Sequence, residues 1–163
     1  MLLEAFDEFL KLLLTAVKNH YGDALVSLVV FGSVGRGTPR PDSDIDLLLV
    51  ADRLPRGRMK RINDFASVEE FLAGHLHRLS RTGINTSLSP IIKTVEEVLQ
   101  GSPLFWDMVD DARILYDRDG FFARYLASLR QRLEDLGACR IRRGNAWHWV
   151  LKRDYSVGEV FRL

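Results

Sequence analysis

The sequence predicts an α/β (α+β) fold in which helices alternate with strands around one mixed sheet. Three observations lead there. Two apolar runs, "ALVSLVVF" at 24–31 and "IDLLLV" at 45–50, have the nearly unbroken hydrophobicity of strands buried on both faces. Segments with apolar residues at helical spacing lie before and after them. A chain of 163 residues with 47% hydrophobic content can bury about two-thirds of its unfolded surface in one core. One domain is the expected organisation, since no internal repeat, low-complexity segment or dividing linker is visible.

The elements follow in order. Leu3, Phe6, Leu10, Leu13, Leu14 and Val17 recur at helical spacing, so the chain opens with an amphipathic helix. Glu4, Asp7, Glu8 and Lys11 within it argue against a signal peptide or a membrane span. Between the second strand and the next helix, residues 51–61, "ADRLPRGRMKR", form a basic loop with Pro55 and Gly57. A helix then runs through Phe65, Val68, Phe71, Leu72, Leu76 and Leu79 to a stop at Gly83. From Ile84 to Ile92, Ile84, Thr86 and Leu88 alternate with Asn85, Ser87 and Ser89. That pattern predicts a strand with one face toward a cleft or water, and Pro90 places it at an edge or marks its end. Thr94 to Glu97, "TVEE", is a capping box opening a short helix that ends near Gly101. After "LFWDMV" comes "ARILYD" as a fourth strand, then a helix through Phe121, Phe122, Tyr125, Leu126, Leu129 and Leu133, stopped by Gly137. Two short strands, "CRIRR" and "WHWVL", joined across Gly144 and Asn145, close the chain.

The 23 Lys and Arg balance 22 Asp and Glu to a net charge of +1. No bulk attraction to nucleic acid or to an acidic membrane is expected, and any basic site is local. A single cysteine, Cys139, excludes an intrachain disulfide and a Cys-rich zinc site, fits a reducing cytoplasm, and reads as a small buried hydrophobe.

The stretch "FGSVGRGTPRPDSDIDLLLV", Phe31 to Val50, is the part that folding requirements explain least. Gly32 and Ser33 follow a strand and open a segment with room for one or two helical turns. Glycine lets backbone N–H groups approach a phosphate, a helix start adds partial positive charge, and Ser33 adds a hydroxyl donor. Arg36, about one turn on, can reach the same phosphate. The segment is not a P-loop, because the Gly-Lys-Ser/Thr ending is missing, and the glycines at 32, 35 and 37 do not fit G-x-G-x-x-G. Asp44 and Asp46 flank Ile45, so the strand period of two puts both carboxylates on one face while Ile45 enters the core. Two hard anions about 7 Å apart at Cα repel unless a divalent cation lies between them. Mg2+, which prefers one or two carboxylates plus substrate phosphates, is the natural occupant. Each piece alone is ordinary turn or cap chemistry, but their joint order points to a phosphate and metal site.

Other charged features have plainer readings. Arg53, Arg56, Arg58, Lys60 and Arg61 could touch a polynucleotide acceptor, but a solvated loop and first helical turn explain them better. "CRIRRGNAWHWVLKRDY" mixes Arg140, Arg142 and Arg143 with Trp147, His148, Trp149 and Tyr155. It suits single-stranded nucleic acid, or equally a hairpin whose Trp147 and Trp149 share one face and close the core. His75 and His77, two apart in a helix, diverge and do not share a metal.

"GSVGRGTPRPDSDIDLLLV" resembles the signature G-S-x-x-R-G followed by S-D-I-D-L-L-V of the minimal nucleotidyltransferases in the polymerase-β superfamily. The later segments "SPIIKTVEEV", "LFWDMVDDARILYDRDGFF" and "WHWVLKRDYSVGEVF" are similar to those of longer prokaryotic members. The resemblance implies a polymerase-β-type nucleotidyltransferase fold over 1–163, with a core at about 20–118 and a helix and hairpin extension at about 119–163. It implies Mg2+-dependent transfer of a nucleoside monophosphate from an NTP, with ATP foremost, to a hydroxyl of a protein, an RNA or a small molecule. Asp44 and Asp46 would be the catalytic metal ligands, and Gly32, Ser33, Arg36 and Ser43 would bind the nucleotide. Active members carry a third carboxylate on a later strand, where this chain offers Asn85, Ser87 and Ser89, none of them acidic. A serine or amide is a poor substitute when a hydroxyl must lose its proton near neutral pH. Asp107, Asp110 and Asp111 could compensate, although a solvated helix end fits them better. The resemblance therefore also implies an alternative: a catalytically weak or inactive nucleotide-binding module of antitoxin type, acting with a HEPN-type partner protein.

Overall fold

The two apolar runs become β1 (Leu25–Phe31) and β2 (Ile45–Ala51), an antiparallel pair with Val29 opposite Leu48 and Phe31 opposite Asp46. The computed structural model describes every residue except Asn145 and Arg162. β3 (Leu88–Lys93) lies parallel to β2, and β4 (Arg113–Asp117) lies antiparallel to β1, giving a mixed sheet of order β3-β2-β1-β4. β1 and β2 occupy its centre, and Leu28, Val29, Val30 and Leu47 to Ala51 are inaccessible to solvent. That explains why these strands show no polar alternation.

Helices cover both faces. In chain order they are α1 (Leu2–Tyr21), α2 (Gly32–Gly35), α3 (Arg58–Arg81), α4 (Val95–Leu99), α5 (Leu104–Asp111) and α6 (Phe121–Asp135). α1 and α3 bring Phe6, Leu10, Leu13, Val17, Phe65 and Leu72 against Leu28, Val30, Ile45, Leu47 and Leu49. The opposite face, with Val29, Leu48 and Val50, meets Val98, Phe105, Met108, Phe122 and Leu129 from α4, α5 and α6. The period of two along β2 thus sends Asp46 to the α5 and α6 side while Ile45 and Leu47 serve the other core. In α1 the expected stripe is shifted: Leu3 is exposed, and Phe9 and Ala16 are buried instead.

The strand expected over Ile84 to Ile92 begins only at Leu88. The Ile84 N–H closes the end of α3 by donating to Leu79 O (3.1 Å), and the Asn85 N–H donates to Pro41 O (2.7 Å). Ile84 and Asn85 therefore brace the end of α3 and the loop at Pro41, a role that side-chain alternation does not distinguish from a strand. Pro90 sits in edge strand β3, where its missing donor costs no ladder bond. Asp117 ends β4 by accepting from the buried Ser27 hydroxyl (2.7 Å) and from the N–H groups of Phe122 and Ala123 (2.9 Å each), which orders the start of α6. Two further strands, β5 (Cys139–Arg143) and β6 (Ala146–Val150), form a separate antiparallel sheet. The turn expected across Gly144 and Asn145 lies partly outside the described residues. Cys139 is half-buried rather than a core residue. Among the described residues, no helix is long and apolar enough to cross a membrane.

Arg61 corrects the expectation of a solvated basic run. It donates from Nε to Pro55 O (2.9 Å) and from Nη1 to Ile92 O (3.2 Å) and Glu97 Oε2 (2.6 Å), and its side chain is only 13% exposed. Glu97 also completes the Thr94 capping box, which forms as expected. The Arg61 hydrogen bond holds the Glu97 carboxyl below the usual glutamate range. A carboxyl depressed in the folded state adds stability above its unfolded pKa that is lost as pH falls through the folded one. Glu97→Gln is therefore expected to lower the urea midpoint at pH 7 and to lose its effect in strongly acidic buffer. Equal destabilisation at both pH values would contradict this.

Candidate active site

β1 ends at Phe31, and the chain turns sharply at Gly32, whose φ is +66°. A Cβ at Gly32 would lie 2.4 Å from Asp46 Oδ2, so backbone and carboxylate are packed as closely as only glycine permits. The turn is closed by Arg36 N–H to Gly32 O (3.0 Å), Gly37 N–H to Val34 O (3.1 Å) and Thr38 N–H to Ser33 O (2.9 Å). Ser33 Oγ donates to Ser43 Oγ (3.1 Å), and Ser43 Oγ also accepts from the Arg40 N–H (2.9 Å). These two hydroxyls tie the ends of the intervening loop, so Gly32, Ser33, Ser43 and Asp46 converge.

Asp44 is exposed just before β2, and Asp46 is half-buried one strand repeat further. Burial pushes the Asp46 carboxyl above its ordinary value. The adjacent Ser89 hydroxyl and the charge of Arg36 pull it down, and the charge of Asp44 pushes it up again. Ser87 Oγ donates to Asp44 Oδ1 (2.7 Å), its carbonyl accepts from the Ile45 N–H (2.8 Å), and Ser89 stands opposite Asp46 in the parallel ladder. Ser87 and Ser89 thus occupy the strand beside the two aspartates. Asn85 does not join them: its Oδ1 accepts from Ser80 Oγ (2.9 Å) at the end of α3. Among the described residues, no three His, Cys, Asp or Glu side chains gather closely enough to hold a metal. Asp46 lies against the glycine turn with Asp44 two residues before it, and carboxylate oxygens are the donors that could hold a divalent ion whose other ligands come from phosphate and water.

Asp107, Asp110 and Asp111 each have partners of their own. Asp107 Oδ1 accepts from the indole N–H of Trp147 (3.0 Å) and of Trp149 (2.8 Å), and Asp110 pairs with Arg130 (3.2 Å). Asp111, only 7% exposed, accepts from Arg36 Nη1 (3.1 Å) and makes longer contacts of 3.3 and 3.4 Å with Arg140. The Trp147 ring underlies both guanidinium groups, 5.0 Å from Arg36 and 4.1 Å from Arg140. The expected solvated helix end is therefore wrong for Asp107 and Asp111, and sequence reasoning did not see the contact that seats Arg36. One signal was available. Asp107 and Asp111 are four residues apart and share a face of α5.

Residues 10–106 match the family model described as a nucleotidyltransferase domain. A Methanocaldococcus jannaschii protein named "Putative protein adenylyltransferase" is 35% identical over 132 residues, covering 80% of this chain and 82% of that protein. Solved structures of similar shape include one titled as a toxin–antitoxin with AMP-PNP, at 21% identity and a TM-score of 0.47, covering 76% of this chain and 88% of that one. Another is titled as a tri-AMPylated Shewanella oneidensis HEPN toxin in complex with MNT antitoxin, at 19% identity and a TM-score of 0.42, covering 83% and 91%.

Proposed function

The chain belongs to the nucleotidyltransferase domain family, and from that premise we propose that it transfers AMP from ATP to a hydroxyl group on a protein. The observation that carries this reading is the Gly32 turn packed against Asp46, which sets the backbone of a strand-ending glycine turn directly beside a carboxylate. Asp44 and Asp46 are the residues that would hold Mg2+. When bound, the ion neutralises phosphate charge and fixes the nucleotide for in-line attack. Gly32 and Ser33 receive the nucleotide's phosphates, Ser43 holds the Ser33 hydroxyl in place, and Arg36 supplies positive charge from the far end of the turn. The acceptor oxygen bonds to the α-phosphorus as the bond to the β-phosphate oxygen breaks. Pyrophosphate leaves, and the acceptor proton passes to water. Positioning and charge neutralisation do most of the work. A protein acceptor is favoured by the 35% identical relative's name, and the lone cysteine supports a reducing cytoplasm.

The test is incubation with α-labelled ATP and Mg2+ in whole lysate, and with a HEPN-type protein as a single candidate acceptor. Label on a protein band that resists nuclease supports the reading. Nuclease-sensitive label would move the acceptor to RNA, and no label with intact nucleotide binding would favour the second reading.

That second reading, a nucleotide-binding module with little catalysis that acts through a partner protein, is favoured by Ser87 and Ser89 beside the aspartates. It leads to a direct prediction. Ser89→Asp sets an anion opposite Asp46 and is expected to raise the Mg2+-dependent transfer rate roughly ten- to a hundredfold if a missing base limits the wild type. An unchanged rate would show that the third acid is not what limits this site.

A further inference from the structure

Arg36 belongs to the phosphate loop, yet the groups that fix its side chain come from outside residues 10–106, the span matching the family model. Asp111 ends α5, and Arg140 and Trp147 belong to the C-terminal hairpin. We propose that Asp111 is a positioning residue for nucleotide binding, which acts by holding Arg36 against Trp147, and that the hairpin's Arg140 makes this arrangement productive. The inference rests on the nucleotide-binding reading of the Gly32–Asp46 site.

The charge balance explains the arrangement. One buried carboxylate facing one guanidinium would neutralise it and weaken its pull on a phosphate. Here two guanidinium groups share the Asp111 carboxylate, so Arg36, Asp111 and Arg140 together keep one positive charge. Only Nη1 of Arg36 is spent on Asp111, which leaves most of its five N–H donors for a ligand. The Trp147 face holds both cations without consuming a hydrogen-bond donor, and Trp147 is itself anchored by its indole N–H to Asp107. Arginine is a long, rotamer-rich side chain. Fixing it before the nucleotide arrives removes an ordering cost from binding. An open cleft of about 680 Å³ beside the cluster, lined by Arg36, Thr38, Asp110, Arg140, Arg142 and Trp147, leaves the guanidinium accessible.

The experiment is titration calorimetry of the full chain with ATP and Mg2+, in wild type, Asp111→Asn, Arg36→Ala and the double variant, with melting curves for each. Asp111→Asn keeps the shape of the side chain and is expected to weaken ATP binding about tenfold. In the Arg36→Ala background the same change is expected to do nothing further to affinity, because the residue through which it acts is gone. Asp111→Glu, which restores the charge, is expected to recover part of the loss. A merely structural role would lower melting temperature and add its affinity loss in both backgrounds, and that additivity would overturn the proposal. Wild-type affinity in Asp111→Asn would overturn it too, while leaving the nucleotide site standing. Absence of ATP binding by the wild type would remove both.

Discussion

Asp46→Asn is expected to lower nucleotidyl transfer by roughly a thousandfold while making the ligand-free protein more stable. The loss follows from removing a charge that acts where the reacting phosphate is held. The gain follows from burial, which pushes the Asp46 carboxyl above its ordinary value, with the exposed Asp44 carboxylate adding to the effect. An acid whose pKa is raised on folding binds its proton more tightly in the native state, so stability falls as pH rises from the unfolded to the folded pKa. Above that window the full penalty remains, and a neutral asparagine does not carry it. At pH 7 and without metal, the melting temperature is therefore expected to rise above that of the wild type. Asp44→Asn, on an exposed residue, is expected to lose activity with little change in melting temperature. If Asp46→Asn were active, or melted lower than wild type, the assignment of Asp46 as a strained ligand would fail.

Gly32→Ala is expected to damage both stability and nucleotide binding. The left-handed backbone costs a non-glycine residue roughly 1–2 kcal/mol, and the new Cβ would sit 2.4 Å from Asp46 Oδ2. Either the carboxylate rotates away or β1 and β2 separate at their ends. A melting temperature lower by roughly 4–8 °C is expected, together with at least a tenfold loss of Mg2+-dependent ATP affinity. Gly37→Ala is the control, because Gly37 also has a positive φ (+73°) but has open space around its Cβ direction. It carries the conformational cost alone and is expected to keep its affinity. Equal loss of binding in both variants would show that turn conformation matters there and the approach to Asp46 does not.

Much of the fold was legible because its signals are local. β1 and β2 announced themselves by unbroken hydrophobicity, α6 by its apolar stripe, and α4 by the Thr94 capping box. β3 starts later than its pattern suggests because residues 84–87 alternate like a strand while the N–H groups of Ile84 and Asn85 serve the end of α3 and the loop at Pro41. At the site, the pairing of Gly32 and Ser33 with Asp44 and Asp46 was readable, since strand periodicity and turn chemistry act over a few residues. The fate of Asp111 was not, because a carboxylate at a helix end looks the same on paper whether water or two arginines receive it.

The sequence by itself determined the sheet's two central strands and the glycine turn between them, because each depends on neighbours within about ten residues. Only the tertiary structure decided which helix layer Asp46 faces, that Ser89 stands opposite it, and that Arg36, Asp111, Arg140 and Trp147 meet. Those contacts join residues up to 111 positions apart, and such meetings are set by how whole elements pack.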